Sequence, residues 1–382
     1  MQAPPGYLDA LGGQPMLPIA SAAMAAALES AWADPARLHH LGRRAGLVLD
    51  ATRASLAQSL TALGDEYSDP VHPDEVYLTS SLAAAATFAI TGTLGGQPTS
   101  VAAAPILASA VEVGIVLDLV EGYPNRLLPV DDRGRVLVGA ARDGLAAGSP
   151  LLCLQVANGE VGTRQPITAV AGLAQAAGTL LLADATACVA RTPIPPGWSM
   201  LMAAGRDWGG PPGMAVLVVR RSTRLALPPG SERGWLGGFP DIPSAAGAAA
   251  ALEALLPVWE QEAANSRAMI DRIREQVTAI PDVACVGDPA DRLPHVVTFS
   301  VLYANGEALV SELDRRGFAV ASGSACVAEH ERPSHVLAAM GAYTGGNVRV
   351  SLPWACSEQT VQDFLTQLPL AIAAVREPLV TS

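Results

Sequence analysis

Cys326 lies in the run ASGSACVAEHERPSHVLAAMG, residues 321–341, where small and polar residues surround a single thiol. Such a setting predicts accessible backbone, whereas a structural cysteine more often sits inside an apolar strand, as Cys153 does in LLCLQV. A thiolate is both a nucleophile and a soft metal ligand, so the chemistry open to Cys326 is nucleophilic attack or metal ligation. Its sequence neighbours pull its charge both ways: His330, Arg332 and His335 favour thiolate, and Glu329 and Glu331 oppose it. The expectation is therefore accessibility rather than a lowered pKa. Cys153, Cys188 and Cys285 lie in or beside apolar segments and are expected to react slowly.

The second chemical signal is a missing residue type. The chain has 382 residues and no lysine, and its 24 Lys and Arg positions are all arginine. A chain of this length ordinarily carries about twenty lysines. Drift toward an Ala-, Arg- and Gly-rich composition explains that loss on a surface and explains it poorly at a reactive position. Arginine keeps the charge but is never a neutral amine, so Schiff-base chemistry on a side chain is closed.

Composition narrows the class. A net charge of −12 argues against nucleic acid as a partner, since phosphate binding needs a basic face. The five cysteines form no CxxC pair, which gives neither a zinc ribbon nor a disulfide framework and points to the reducing cytoplasm. The opening MQAPPGYLDALGGQP lacks the basic and apolar regions of a signal peptide. The apolar run Val101–Val120 holds Pro105, Glu112 and Asp118, and is expected as a buried helix followed by a strand, VGIVLDLV, rather than a membrane span.

The elements that position these groups follow from apolar patterning. Short bursts (EVYLT, VGIVLDLV, PLLCLQV, TLLLADA, MAVLVVRR) alternate with helix-length stretches such as Ser80–Ile90 and ITAVAGLAQAAG. Buried strands alternating with helices predict a doubly wound, mainly parallel sheet. After Pro240 comes one long helical stretch, AAGAAAALEALLPVWEQEAANSRAMIDRIREQV. Strands HVVTFSV and VRVSL and helices GEALVSELDRRG and SEQTVQDFLTQLPLAIAAV follow, with Ser357 as a helix cap. The expectation is α/β overall: residues 1–250 as a large domain with an N-terminal arm, and 251–382 as a small α+β domain carrying the cysteine loop.

SGSAC followed by PSHVL resembles the cysteine-loop signature of the NifS/IscS-type cysteine desulfurases, which have the class V aminotransferase fold. Other segments agree in order. YLDALGGQP resembles YLDNAATTP, DPARLHHLG resembles NPSSLHxxG, and VANGEVGTRQPI resembles NNEIG-xx-QPI. ADATAC resembles VDATQS, GSERGWLGG resembles ERGxRSGT, and VRVSL resembles IRxSL. The resemblance covers essentially the whole chain and implies a fold-type-I, pyridoxal-phosphate-transferase-like architecture, a homodimer, and a cofactor lysine in SAHKxxGPxG. This chain reads AGRDWGGPPG there, with Asp207 at the lysine.

Further departures surround that position. Ala83 replaces the phosphate-binding threonine, and Ala204 and Arg206 replace a serine and a histidine. Ala187 replaces a glutamine, and Phe239 replaces a threonine that serves the neighbouring subunit. The stacking histidine is missing, since no histidine lies between His72 and His295. Each lost donor is worth about 1–3 kcal/mol to a charged ligand.

Other positions match. The resemblance assigns Asp184 to the pyridine nitrogen, Asn158 to the ring, Arg349 to the substrate carboxylate, and Cys326 to persulfide transfer. The residues also admit plainer readings: Asp184 capping a helix or pairing with Arg206, Asn158 holding a turn ahead of Gly159, Arg349 as a solvated strand residue, and His39 and His40 holding local structure.

The leading expectation is a family member without covalent pyridoxal phosphate, acting in sulfur trafficking or iron–sulfur cluster assembly through Cys326. A cluster usually takes four protein ligands, so Cys326 would share it with a partner; the partner expected is a sulfur acceptor or an iron–sulfur scaffold. One alternative is an enzyme that binds pyridoxal phosphate or another ligand non-covalently, with Asp207 as acid/base and Arg206 as anion-binding group. Another is a pseudoenzyme subunit that regulates an active paralogue.

Overall fold

A computed structural model describes residues 3–228, 230–322 and 333–376. The chain opens with an arm, then α1 (Pro18–Ser30) and α2 (His40–Ala62). His39 caps α2, its Nδ1 accepting from Gly42 N at 3.1 Å, which is the local role expected of it. There follow β1 (Val76–Thr79), α3 (Leu82–Gly96), the single turn α4 (Thr99–Ala102) and β2 (Ile106–Ser109). Next come α5 (Gly114–Glu121), β3 (Asn125–Leu128), α6 (Val138–Ala146), β4 (Leu151–Gln155), α7 (Ile167–Ala177) and β5 (Leu180–Asp184). β6 (Met200–Ala204), β7 (Ala215–Val219) and α8 (Ile242–Leu255) complete the first part.

Among the described residues these seven strands form one sheet in the order β1-β7-β6-β5-β4-β2-β3. β7 runs antiparallel to both neighbours and the remaining pairs are parallel. Strand residues alternate between two cores, as the pleat requires. Leu152, Leu154, Leu181, Val216 and Val218 face the core of α2, α7 and α8, while Leu151, Cys153, Leu182 and Leu217 face that of α3 and α5. Both faces are therefore covered, which is why these strands read as unbroken apolar runs.

One strand assignment is corrected. VGIVLDLV is the helix α5, and the strand of the Val101–Val120 run is the earlier ILAS of β2. Val116 and Val120, four residues apart, are the buried pair on α5, a helical spacing that outweighs the β-propensity of its valines and isoleucine. The long helical stretch is also two helices. α8 stops at Leu255, Pro257 intervenes, and α9 (Trp259–Thr278) leaves at a bend of 74°.

The second part contains β8 (Val283–Val286), β9 (Val296–Val301), α10 (Gly306–Arg315), α11 (His335–Ala339), β10 (Asn347–Ser351) and α12 (Glu358–Arg376). Its strands form an antiparallel sheet, β10-β9-β8, packed on α9, α10 and α12 around Phe299, Leu313 and Phe364. Ser357 caps α12, its Oγ accepting from Thr360 N at 3.1 Å. The N-terminal arm returns to this second core: Leu8 is buried in it, and Tyr7 and Asp9 bridge Ala319 and Ser351. Among the described residues no single helix is long and apolar enough to cross a membrane.

Candidate active site at the carboxyl edge of the sheet

Open parallel sheets bind ligands beyond the carboxyl ends of their strands. Here four strand ends on that edge deliver polar groups: Glu112 after β2, Asn158 after β4, Asp184 closing β5, and Asp207 in a short 3₁₀ turn, Gly205–Trp208, after β6. Asp184 is buried, and its Oδ1 accepts from the amide and hydroxyl of Thr186, the amide at 2.8 Å. Burial raises its pKa against those two bonds. Asp184 does not pair with Arg206, which lies 3.7 Å from Asp207 instead.

Asp207 is 8% exposed, and its Oδ2 is buried without a hydrogen-bond partner among the described residues. Burial lifts its pKa from 3.8 to about 7; Arg206 opposes the rise and Asp184 adds to it. Glu112, also buried, accepts from Gln155 N at 2.9 Å, and burial with Asp184 nearby pushes it well above the carboxylate range.

Asn158 has both ends of its amide engaged. Oδ1 accepts from Glu160 N at 2.9 Å and Val161 N at 2.8 Å, and Nδ2 donates to Val111 O at 3.0 Å. It holds the turn that presents Glu160. Glu160 Oε1 accepts from Ser334 Oγ at 2.5 Å, and burial raises its pKa to about 7 against that bond and the charge of Arg349.

Arg349 is not a solvated strand residue. Its side chain is 19% exposed, Nη2 meets Asp9 Oδ1 at 2.9 Å, and Nε is buried without a partner among the described residues. The arm sets that contact, with the Tyr7 hydroxyl donating to the carbonyls of Asp9 and Gly13.

Cys326 lies outside the described residues, as do His330 and Arg332. The described chain on either side reaches the same site. Ala321 exchanges backbone hydrogen bonds with Arg349, at 2.7 and 3.1 Å. Beyond the gap, Ser334 binds Glu160 and caps α11 through Leu337 N at 3.1 Å, while His335 Nε2 donates to Glu112 O at 2.9 Å. Arg349, Glu160, Glu112, Asp184 and Asp207 thus follow one seam between the two sheets. A separate cleft of about 790 Å³, lined in part by Glu75, Trp198 and Arg220, lies at the opposite, amino-terminal edge and holds none of these residues.

The pyridoxal phosphate implied by the resemblance does not fit this donor set. A buried carboxyl with an orphaned oxygen, Asp207, stands where an amine is required. At the start of α3 the Ser81 hydroxyl is committed to capping Ala84 N at 3.1 Å, and Ala83 and Ala204 offer only methyl groups. No group of three or more His, Cys, Asp or Glu residues among those described is arranged to hold a metal ion.

Three residues escaped the sequence reading: Glu112, Glu160 and Asp9. Glu112 was visible as one of two carboxylates inside an apolar run, and Glu160 and Asp9 sit within segments already matched for other residues.

The aminotransferase class-V family profile matches residues 7–364. The cysteine desulfurase NifS of Azotobacter vinelandii is 32% identical, over 90% of this chain and 86% of that protein. An IscS-like cysteine desulfurase of Mycobacterium tuberculosis is 33% identical over 97% of each chain. Among solved structures, a NifS-like protein superposes with a TM-score of 0.85 at 21% identity, over 97% of this chain and all of that one. Another, from Rickettsia africae, does so at 0.83 and 20% identity, again over 97% of this chain and all of that one, and both likenesses speak to the fold alone. The chain belongs to the class V aminotransferase family, with the cysteine desulfurases of the NifS and IscS kind as its relatives.

Proposed function

We propose that this protein handles sulfur through Cys326 without Schiff-base chemistry, in sulfur trafficking or iron–sulfur cluster assembly in the cytoplasm. The observation that carries the proposal is Asp207: in a chain with no lysine, a buried, partly orphaned carboxyl stands at the position where the family resemblance places the reactive amine. The step left to the chain is exchange. The Cys326 thiolate attacks the outer sulfur of a persulfide on a donor protein, the donor's S–S bond breaks, and the donor leaves as a thiolate. Cys326 then carries the persulfide, with no net oxidation. In the cluster version Cys326 supplies one ligand and a scaffold protein the others.

Arg349 and Glu160 fasten the described chain beside Cys326, and Asp184 and Asn158 keep the seam in shape. The proposal takes residues 1–250 as the large domain and 251–382 as the small one. The change of core near the α8–α9 break supports a division into two domains close to that boundary. It also takes the protein as a homodimer, supported by the exposure of Phe239 in the segment that resembles the family's cross-subunit loop. A stable monomer in sedimentation at micromolar concentration would contradict that part.

A second reading has one observation in its favour. With a pKa of about 7, Asp207 beside Arg206 is suited to acid/base work on a ligand held non-covalently. The test is to offer a persulfidated donor protein and to map persulfide on each cysteine by mass spectrometry, with and without pyridoxal phosphate. Cofactor-independent persulfide on Cys326 supports the proposal, and turnover of free cysteine that needs the cofactor favours the second reading.

A further inference from the structure

The carboxyl edge of the sheet has a charge balance unlike that of an anion site. Glu112, Asp184 and Asp207 lie at the carboxyl ends of β2, β5 and β6, and among the described residues Arg206, with a side chain 52% exposed, is the basic side chain paired with any of them. Arg349, farther along the seam, is already paired to Asp9 and faces Glu160. A cluster of carboxyls alone says little, since protons can neutralise it. The independent observation is Asp207 Oδ2, which belongs to a side chain more than nine-tenths buried and has no donor among the described residues, while Oδ1 is the oxygen that faces Arg206. Buried acceptors in folded proteins nearly always have a partner, so an orphan of this kind points to a missing donor.

The donor's chemistry can be narrowed. No described group of side chains has the arrangement a metal ion needs. An anion beside Asp207 would meet the neighbouring carboxyl of Asp184 as well. A primary ammonium fits: it is cationic, compact, and carries several N–H donors for oxygens that lie apart.

We propose that Asp207 anchors a binding site for a small primary ammonium compound, with Asp184 as its second carboxylate. Asp207 Oδ2 accepts one N–H, and the ligand's charge offsets the two buried carboxylates. The site works without any lysine and does not depend on the sulfur chemistry of Cys326, so either idea can fail alone.

The test uses the intact protein with n-butylammonium, tetramethylammonium and butyrate as probes, read by calorimetry and thermal shift. Butylammonium is expected to bind and raise the melting temperature. Tetramethylammonium, which has the charge but no N–H, and butyrate, which has the wrong charge, are expected to do neither. Asp207→Asn keeps the side-chain shape and is expected to weaken butylammonium about ten- to hundredfold, the loss typical of a charged hydrogen bond. If that variant is poorly folded by circular dichroism, Asp184→Asn provides the same comparison. Butylammonium affinity weaker than about 10 mM in the parent protein, equal binding of butyrate, or undiminished binding by a folded variant would overturn the proposal.

Discussion

Replacing Asp207 by Asn asks how much a buried carboxyl costs this fold. Burial raises the pKa of Asp207 to about 7 from 3.8. That is a shift of about three units, each worth about 1.4 kcal/mol, so holding the group ionised in the native state costs about 4 kcal/mol at high pH. The sign follows from proton counting. Between about pH 4 and 7 the native protein keeps a proton that the unfolded chain has released, so stability falls as pH rises through that window. Asn cannot ionise and removes the slope, but its amide replaces an orphaned oxygen with another under-satisfied group, at about 1–3 kcal/mol. At pH 8 Asp207→Asn is therefore expected to be more stable than the parent by about 1–3 kcal/mol, and at pH 4, where the native carboxyl is protonated, it should be less stable than the parent by about 1–3 kcal/mol. Urea unfolding at both pH values gives the four free energies. A parent–variant difference that is the same at pH 4 and pH 8 would refute the reasoning, because Asp207 would then titrate as an ordinary exposed carboxylate.

Asp9→Ala removes the ion-pair partner that Arg349 has among the described residues, where its Nε is already buried and unbonded, and is expected to cost about 1–3 kcal/mol in urea unfolding. Asp9→Asn, which retains an acceptor, should cost less. Burial pushes the thiols of Cys153, Cys188 and Cys285 upward and that of Cys356 to about 11, so timed alkylation of the native protein should label Cys326 ahead of all four. Labelling of Cys326 no faster than Cys153 would favour a pseudoenzyme subunit. Asp207→Lys alone should not yield cofactor-dependent sulfide release from cysteine. It returns the amine but leaves Ala83 and Ala204 without donors, and sulfide release from that single variant would show the remaining pocket to be sufficient.

What the sequence made legible and what it hid have separable causes. LLCLQ, LLLAD and AVLVV were readable because both faces of the large sheet are covered, so that polar residues enter these strands only at their carboxyl ends, as Gln155 and Asp184 do. β3 was not, since NRLL is a mostly exposed edge strand whose existence depends on pairing with β2. The direction of β7 is likewise a property of the connection and not of its residues. α5 was misread because valine and isoleucine favour strands locally, while tertiary packing needed the i, i+4 pair Val116 and Val120 on one face. At the site, Asp207 was found because it stands in a motif position. Glu112 and Glu160 were missed because their importance is positional: each is an ordinary carboxyl until the fold buries it beside a loop end that it must hold.

The most direct measurement is mass-spectrometric mapping of Cys326 after the purified protein, free of pyridoxal phosphate, has met a persulfidated donor protein. The account predicts persulfide on Cys326, lost in Cys326→Ser, and no sulfide from free cysteine whether or not the cofactor is added. Sulfide release from cysteine that requires pyridoxal phosphate and Cys326 would contradict it.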